Sequence, residues 1–597
     1  MKSIAMVAGL ALAALTVAAE DYFWNNAGGG DWSVAANWDN GIPDSTLKAT
    51  IDKVGDYTVS VADAGSHTAL ALELKNGGNL DVASSLVVNG NGLAISDDSV
   101  MTVGSGANFT YSYDAADITV GQDGEFKQAG GKVNLISGSK ATGNFRLDGG
   151  TASFADGVLN ITNFNGFAGG GTVAFSGTEK VLSRESEGYN ITFAGDAGKA
   201  LEVSFTDSAY VYVANGLGHL VLGGTAGGST LMTVSKPGNF AGSTANVGIG
   251  FYVGYGNGYA NLTCDNATGV ISAGNGGVTI GMGASDVSCT APTGVVHLVG
   301  SKLSAGGGGF WGNKYWGGLS VGNGISVKKG QDGCAVGRIE ISGSTGYLSV
   351  SGACGIGVGR GNGEVIQDDG NFYYSGSSTW SSLPARKQPM VLGYAGGIGA
   401  YVLSNGVAKV VNAGVFVGGC TKQDLNRYWE LNEGGEYVQS GLKDASGRLV
   451  IHGGSFEATN NVSGIVLGAD GCGVLEIGPL GSLVATSVSV SNQVSGTLEF
   501  KLGENGRAGY MSSAALEIAK GAKLVVDARN VRKLHSWIRL AETKNPPVGE
   551  FAASDVTYLT NAENRDAFAA ATIAYEHNGQ TGIWLKLPPS GLMLIVR

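Results

Sequence analysis

The sequence predicts an all-β solenoid, a fold in which short strands stack in successive coils. Three observations predict it. The chain has 597 residues, of which 102 are glycine and only 10 are proline. Short runs with alternating apolar residues fill most of the chain, and glycine-rich turns separate them. A pattern of an apolar residue, glycine, any residue and glycine recurs, which is typical of a repeated corner.

Composition narrows the class of protein. Hydrophobic residues make up 43% of the chain, enough to bury a core, and glycine shows no strict three-residue period, so disorder and collagen are both excluded. The formal charge is −12, and the basic residues are few and scattered. Because a protein that neutralises phosphates needs clustered Lys and Arg, we expect no nucleic-acid partner.

The first 19 residues predict export. Residues 1–19 combine Lys2, an apolar run and the small residues Ala18 and Ala19, a pattern typical of a cleaved signal peptide. The alternative is a membrane anchor, but the run is shorter than the about 20 residues of a spanning helix. We therefore expect an exported protein, either extracellular, at the cell surface or in the outer envelope or periplasm, without a transmembrane segment after signal removal.

Residues 20–52 are predicted to cap the start of the solenoid. Trp24, Trp32 and Trp38 fall close together in this segment. The open end of a stack exposes an apolar interior to water, and large rings cover it efficiently. The alternative interpretation is a surface on which the rings stack against carbohydrate.

Residues 53–497 are assigned to the solenoid, with loop insertions. Runs such as YTVSV (57–61) and LAI (93–95) alternate apolar and polar residues, as a strand with one buried side requires. The glycine pattern appears in FYVGYGNGYANLTC (251–264) and again in TIGMG (279–283). A nucleotide-binding loop would need a helix after its glycines, and no helical pattern follows, so we interpret the glycines as corners.

Residues 498–597 are predicted to form a β-rich cap at the other end. Runs such as LEFKL (498–502) and GIWLKL (582–587) alternate as strands do, and residues 562–571 predict one short helix. A solenoid needs such a covered end to remain soluble. The final GLMLIVR (591–597) is interpreted as a capping strand, with a sorting or attachment signal as the alternative.

The tryptophan-rich opening and two later segments resemble bacterial autotransporter-associated β-strand repeat proteins. The resemblance rests on Trp24, Trp32 and Asn37-Trp38 with Gly41-x-Pro43, on LALELKNGGNLDV (70–82) and on VGYGNGYANLT (253–263). It implies a right-handed parallel β-helix exposed on, or released from, a Gram-negative-type cell surface. Full autotransporters end in a membrane barrel, and residues 498–597 are too few for a typical one.

The six cysteines allow two interpretations. No C-x-x-C pair occurs among them, which argues against a zinc site or a redox pair. In an exported protein some could form disulfides, and the alternative is thiols buried in the core. The cysteines are Cys264, Cys289, Cys334, Cys354, Cys420 and Cys472.

No motif predicts a catalytic residue, a metal site or a cofactor. Asp97-Asp98 and Asp368-Asp369 are adjacent acids in turns, where aspartate is common for backbone reasons, and we interpret both pairs as solvated. His297 lies within an apolar strand and has no motif partner, so we expect it to be packed or outward-facing.

Two aromatic segments are the best functional candidates in the sequence. FWGNKYWGG (310–318) and NFYYSGSSTW (371–380) are interpreted as insertions between coils. Exposed rings there could stack on sugars, and the alternative is that they fold back over coil edges. The candidate carbohydrate-binding residues are Trp311, Trp316, Tyr373 and Trp380.

The sequence therefore predicts a secreted or cell-surface β-helix with a structural or adhesin-like role and no catalytic activity. The expected partners are surface polysaccharide or other cell-envelope components. The alternatives are a β-helical polysaccharide lyase or hydrolase and a non-catalytic carbohydrate-binding protein. An enzyme should bring acids and a basic residue together from neighbouring coils.

Overall fold

The fold is described from a computed structural model. The structure describes residues 21–90, 92–112, 116–137, 143–184, 191–206, 210–214, 219–223, 227–235, 239–240, 250–256, 258–267, 270–273, 277–283, 293–306, 318–324, 335–376, 389–419, 429–431, 437–439, 445–459 and 464–588. Of the described residues, 63% are in strands and 3% in helices. Almost all strand pairs are parallel, so the chain is a parallel β-helix, and the predicted all-β solenoid is confirmed.

Each regular coil contributes three strands, and each strand pairs with its counterpart in the next coil. Leu74, for example, pairs with Ile95, which pairs with Val120 in the coil after. The strands therefore form three faces around one core. The alternating burial along each strand places apolar side chains inside and polar ones outside.

The first face begins each coil. Its strands are Tyr22–Phe23, Lys48–Ile51, Ala71–Leu74, Leu93–Ile95, Ile118–Gly121, the start of Asn144–Ala155, the start of Gly166–Ser176, Ile191–Gly195, His219–Leu222, Gly250–Gly256, Val278–Gly283, Leu319–Asn323, Cys354–Val358, Met390–Tyr394, Val415–Val417, Ile465–Leu467 and the ends of Gly471–Val490 and Tyr510–Ile518.

The second face follows the first across a corner. Its strands are Gly30–Asp31, Tyr57–Val61, Gly78–Val82, Val100–Val103, Glu125–Ala129, the ends of Asn144–Ala155 and Gly166–Ser176, Ala200–Phe205, Ser229–Ser235, Tyr259–Asp265, Thr293–Val299, Val336–Ser342, Asn362–Gln367, Ile398–Leu403, the starts of Ala445–Thr459 and Gly471–Val490, Ser495–Lys501, Lys523–Asp527 and Val556–Leu559.

In the N-terminal coils the third face is a separate eight-stranded sheet. That sheet contains Ser66–Ala69, Ser85–Val88, Asn108–Ser112, Lys132–Ile136, Val158–Thr162, Lys180–Arg184, Tyr210–Ala214 and Asn239–Phe240. Later coils continue it with Val270–Ala273, Lys302–Ala305, Tyr347–Ser351, Asn371–Ser375, Val407–Val411, the end of Ala445–Thr459, the middle of Gly471–Val490 and the start of Tyr510–Ile518. A separate antiparallel pair joins Trp429–Leu431 to Tyr437–Gln439.

Phenylalanine ladders fill the interior of the N-terminal half. Phe154 stacks on Phe175 with ring centroids 5.2 Å apart, and Phe175 stacks on Phe205 at 4.5 Å. Phe167 and Phe193 form a second ladder with centroids 5.1 Å apart. Because parallel pairing places equivalent residues over one another, a residue type repeated once per coil forms a continuous column.

Glycine ladders form the corner between the first and second faces in the C-terminal half. One ladder has a φ between 64° and 77° at every position, a left-handed conformation that favours glycine. Its members are Gly254, Gly281, Gly322, Gly357, Gly393, Gly418 and Gly468. A second ladder pairs in register on the second face and consists of Gly294, Gly337, Gly363, Gly399, Gly447, Gly473 and Gly496.

The two ladders interlock. A Cβ atom added to Gly337 would lie 2.2 Å from the carbonyl oxygen of Ile280 and 2.3 Å from the nitrogen of Gly322. The recurring glycine pattern therefore marks a corner where the backbones of neighbouring coils touch. No phosphate-binding helix follows Gly254, because the next described element is the strand Tyr259–Asp265.

The three N-terminal tryptophans are buried at the start of the stack. Trp24 and Trp32 have no exposed surface, Trp38 is 3% exposed, and the ring of Trp38 contacts both others edge-on at 5.0 and 4.8 Å. The Nε1–H of Trp38 donates to the carbonyl of Trp32. Their rings pack inside the end of the core, and burial leaves no face open for the alternative interpretation as a sugar-stacking surface.

The C-terminal end changes from parallel to antiparallel pairing. The parallel second face continues through Val556–Leu559, beyond residue 497. Trp537–Thr543 pairs antiparallel with Gln580–Lys586, which pairs antiparallel with Thr572–His577. The helix at Arg565–Ala569 lies within the predicted 562–571 and buries Phe568. No helix among the described residues is long and apolar enough to cross a membrane.

Candidate functional site

A cleft of about 440 Å³ opens at the C-terminal end of the β-helix. One wall is the corner 506–509 with the first residue of the next strand, Tyr510. The other wall comes from the antiparallel strands of the cap, which contribute Trp537, Arg539 and Trp584. The cleft therefore lies where the last coils meet the cap.

Aromatic rings line the cap side of the cleft. The imidazole of His577 stacks on Trp537 with centroids 4.0 Å apart and meets Trp584 edge-on at 5.0 Å. Antiparallel pairing explains this cluster, since Trp537 is opposite Lys586 and Arg539 is opposite Trp584 across the two strands. The Nζ of Lys586 lies 5.4 Å from the centroid of Trp537. This arrangement holds the indole of Trp537 in a fixed orientation.

Positive charge lines the same cleft. Arg507 and Arg539 are exposed lining residues, together with the half-buried His535. The guanidinium of Arg539 lies 5.8 Å from the centroid of Tyr510, and its Nη1 donates to Glu542 at 2.9 Å. None of the described lining residues is acidic. The cleft is thus locally cationic in a protein whose formal charge is −12.

Trp584 has an unsatisfied donor in the wall of the cleft. The side chain is only 8% exposed, and its buried Nε1–H has no acceptor among the described residues. A buried donor without a partner costs about 1–3 kcal/mol, so such groups are uncommon in folded proteins. The rings and guanidinium groups of the cleft suit a ligand with a flat apolar side and anionic groups at its edge.

A second cluster of charged residues lies on the second face near the cap. Glu476 has no exposed side-chain surface and is paired with both Arg448 and Lys501. Burial alone would raise the pKa of Glu476, but hydrogen bonds from Lys501 and Arg448 outweigh it and hold the pKa below its usual range. Burial and the neighbouring Glu476 raise the pKa of Glu499, which is opposite Glu476 in the next coil.

A third cluster surrounds Arg146 on the first face. Its guanidinium is paired with Asp196 and lies within 3.9 Å of Asp117 and Asp148, and Lys199 contacts Asp148 at 3.0 Å. All these side chains are between one quarter and one half exposed. The acids are all next to a cation, which is typical of an ion-pair network that links neighbouring coils.

His297 belongs to a similar network on the second face. Its Nδ1 lies 2.7 Å from Glu340, and Arg338 contacts Glu340 at 2.7 Å and Glu364 at 3.6 Å. The ring is half-buried on the outer side of the strand. The prediction of an outward-facing or packed histidine is confirmed.

The predicted sugar-binding residues are only partly placed. Tyr373 lies within the strand Asn371–Ser375, half-buried on its outer side. It is therefore part of the third face, and its predicted location in an insertion is wrong, because the alternating run NFYYS continues the stack. Trp311, Trp316 and Trp380 lie outside the described residues.

The acidic turns have the backbone geometry expected of solvated aspartates. Asp97 and Asp98 are exposed with φ values of 54° and 60°. Asp368 is exposed, and the side chain of Asp369 accepts a hydrogen bond from the amide of Gly370 at 2.8 Å. Neither pair contributes to the clusters described above.

The described cysteines are free thiols. Cys264 and Cys354 are buried and Cys472 is exposed. Burial raises the pKa of Cys354 to about 12 and raises that of Cys264 further. The buried-thiol interpretation is confirmed for the first two, whereas Cys289, Cys334 and Cys420 lie outside the described residues. Among the described residues, no group of three or more His, Cys, Asp or Glu side chains could hold a metal ion.

Sequence reasoning missed the cleft. Tyr510, Trp537 and Trp584 lie in three separate runs that each have the alternation of an ordinary strand. The available signal was weak: the segment 529–539 carries Arg529, Arg532 and Arg539 close to Trp537. Only the antiparallel return of the last strand brings Trp584 beside it.

Comparison with models of known protein families gave no match, and a search among curated proteins also found none.

Proposed function

We propose that the protein is an exported, non-catalytic β-helical rod with a structural or adhesin-like role at the cell surface or in the outer envelope. The observation that supports this most is the stack itself. Parallel pairing runs from Tyr22–Phe23 to Val556–Leu559 around one core. Such a solenoid holds its outer faces in a fixed, extended arrangement, which suits contact with polysaccharide or other envelope components.

Both ends of the stack support the proposal. The buried tryptophans cover the first coil, and the antiparallel strands cover the last ones. Covered ends prevent coils of different molecules from joining edge to edge. The charge networks around Arg146 and His297 pair their acids with cations along the faces, as a structural role requires.

Exposure of the protein at the cell surface can be tested with an epitope inserted at the turn of Val54 and Gly55. Val54 is 88% exposed, and an added Cβ on Gly55 would meet nothing within 4 Å, so the turn tolerates insertion. We expect protease added to intact Gram-negative cells to remove the epitope. The matched control lacks residues 1–19 and should keep the epitope protected inside the cell. Cytoplasmic retention of the complete chain would contradict the proposal.

A β-helical carbohydrate-active enzyme is the second candidate, and the pair Glu476 and Glu499 favours it. One carboxyl has a lowered pKa and its neighbour a raised one, as an acid and a nucleophile or base require. Burial of Glu476 beneath two cations argues against access of substrate. A polysaccharide-degradation screen separates the candidates, because turnover that is lost in E499Q would replace the structural proposal with the enzymatic one.

A further inference from the structure

We propose that the cleft between the corner 506–509 and the cap strands binds an oligosaccharide that carries carboxylate or sulfate groups. This inference goes beyond a structural role and holds whether or not the protein is displayed on cells. It rests on the juxtaposition of Tyr510 and Trp537 with Arg507 and Arg539.

The aromatic residues supply a platform for a sugar ring. Tyr510 is 42% exposed at the mouth of the cleft, and Trp537 is held against His577. The C–H face of a pyranose packs on such rings, because they offer a large apolar area with few rotatable bonds. The volume of about 440 Å³ lies within the range of about 300–1,000 Å³ found for small-molecule sites.

The arginines determine the charge of the ligand. The side chain of Arg507 has no hydrogen-bond or ion-pair partner among the described residues, and Arg539 has only the bond to Glu542. A guanidinium carries five N–H donors in a planar fork that matches carboxylate and sulfate oxygens. The described lining residues include no acid, and the carboxylate of Glu542 is already bound to Arg539, so Arg507 is the cation that is free to pair with an anionic group.

The alternative ligand is a single-stranded nucleic acid, which also combines stacking with negative charge. Of the described lining residues only two are arginines, and the chain carries a formal charge of −12, so a short anionic glycan fits better.

The test is isothermal titration calorimetry on the full chain with four probes of matched length. These are hexagalacturonate, a sulfated hexasaccharide, cellohexaose and a single-stranded hexanucleotide. We expect one or both anionic saccharides to bind, with cellohexaose at least about tenfold weaker because it lacks charge. The stronger of the two anionic saccharides identifies carboxylate or sulfate as the preferred group.

Three variants localise the binding. We expect the R507A/R539A double variant to lose at least about tenfold in affinity, because both charge-assisted contacts are removed. Y510A should lose about fivefold, since one stacking surface is removed. R532A is the matched control: this cap arginine is 77% exposed, pairs with Glu504 and does not line the cleft, so affinity should stay within about twofold. Thermal melting of each variant verifies that it is folded.

Several results would overturn the inference. One is that no saccharide binds at millimolar concentration. Another is that cellohexaose binds as tightly as the anionic probes, or that the hexanucleotide binds more tightly than either saccharide. Unchanged affinity in both R507A/R539A and Y510A would also reject this cleft as the site.

Discussion

Glu179 is a carboxyl group without exposed surface, in the turn that precedes the strand Lys180–Arg184. The amide of Gly157 donates to its Oε2 at 2.7 Å, but its buried Oε1 has no hydrogen-bond partner among the described residues. Burial raises the pKa of Glu179 to about 7. The folded state therefore holds a proton that the unfolded chain releases near the ordinary pKa of 4.5.

This shift makes stability depend on pH in a defined direction. The stabilisation by the protonated group is complete below pH 4.5 and is lost as the pH rises to about 7, a loss on the order of 3 kcal/mol. We expect E179Q to melt at a higher temperature than the natural protein at pH 8 and at a similar temperature at pH 4.5. The exposed Glu517 provides the control, since E517Q should reproduce the natural pH profile.

Glu476 predicts the opposite dependence. Its lowered pKa contributes stability above the ordinary value of 4.5, and this contribution is lost as the pH falls through the folded-state pKa. E476Q should therefore destabilise the protein at pH 7, by about 1–3 kcal/mol, since the charge-assisted hydrogen bonds from Arg448 and Lys501 to the carboxylate are lost. The difference should narrow toward pH 3 in thermal melts.

Glu504 offers a matched comparison for Glu476. It pairs with Arg532 at 3.5 Å, but both side chains are more than two thirds exposed. Solvent screens such pairs, so E504Q should change stability by less than about 1 kcal/mol at any pH. Equal effects of E476Q and E504Q at pH 7 would show that burial does not strengthen the first pair.

At the scale of elements, the interlocked glycine ladders make a steric prediction. G337A places a methyl group 2.2 Å from a backbone oxygen, and the two coils would have to separate. We expect a destabilisation of about 3 kcal/mol, the upper part of the usual range for overpacking. The measurement is the thermal midpoint of the folded protein.

Gly198 separates this steric effect from backbone strain. Its φ is 73°, and an added Cβ would meet nothing within 4 Å. G198A should therefore cost only about 1 kcal/mol, from the unfavourable φ. A larger effect in G198A than in G337A would mean that the ladders are not tightly packed.

Strand alternation and turn residues predicted much of the fold. YTVSV (57–61) and LAI (93–95) coincide with observed strands. In a strand every second side chain is buried, and this alternation can be recognised from a few neighbouring residues of the sequence. The location of Tyr373 was missed although NFYYS (371–375) has the alternation of a strand, because its aromatic side chains also suit exposed rings. The cleft could not be predicted from the sequence, because its walls meet only through the antiparallel pairing of Trp537–Thr543 and Gln580–Lys586.

At the scale of the whole molecule, stability should vary along the stack. Each coil contacts only its neighbours, so damage at one end weakens the nearest coils most. W38A should remove the ring between Trp24 and Trp32, with a local cost of about 3–5 kcal/mol. Hydrogen exchange should accelerate in Tyr57–Val61 and remain unchanged in Lys523–Asp527. Uniform acceleration would indicate that the solenoid unfolds as one unit.

Cys264 and Cys354 lie inside the column, whereas Cys472 lies at the surface. A thiol-reactive dye should therefore modify Cys472 at once and reach the other two only when their coils open, since thiolate is the reactive form and burial suppresses it. The labelling rates of Cys264 and Cys354 therefore measure how often the coils in the middle of the rod open. The labelling rate of Cys472 is the reference for an exposed thiol. The same seclusion would let these two sulfhydryls pass through an oxidising compartment unchanged.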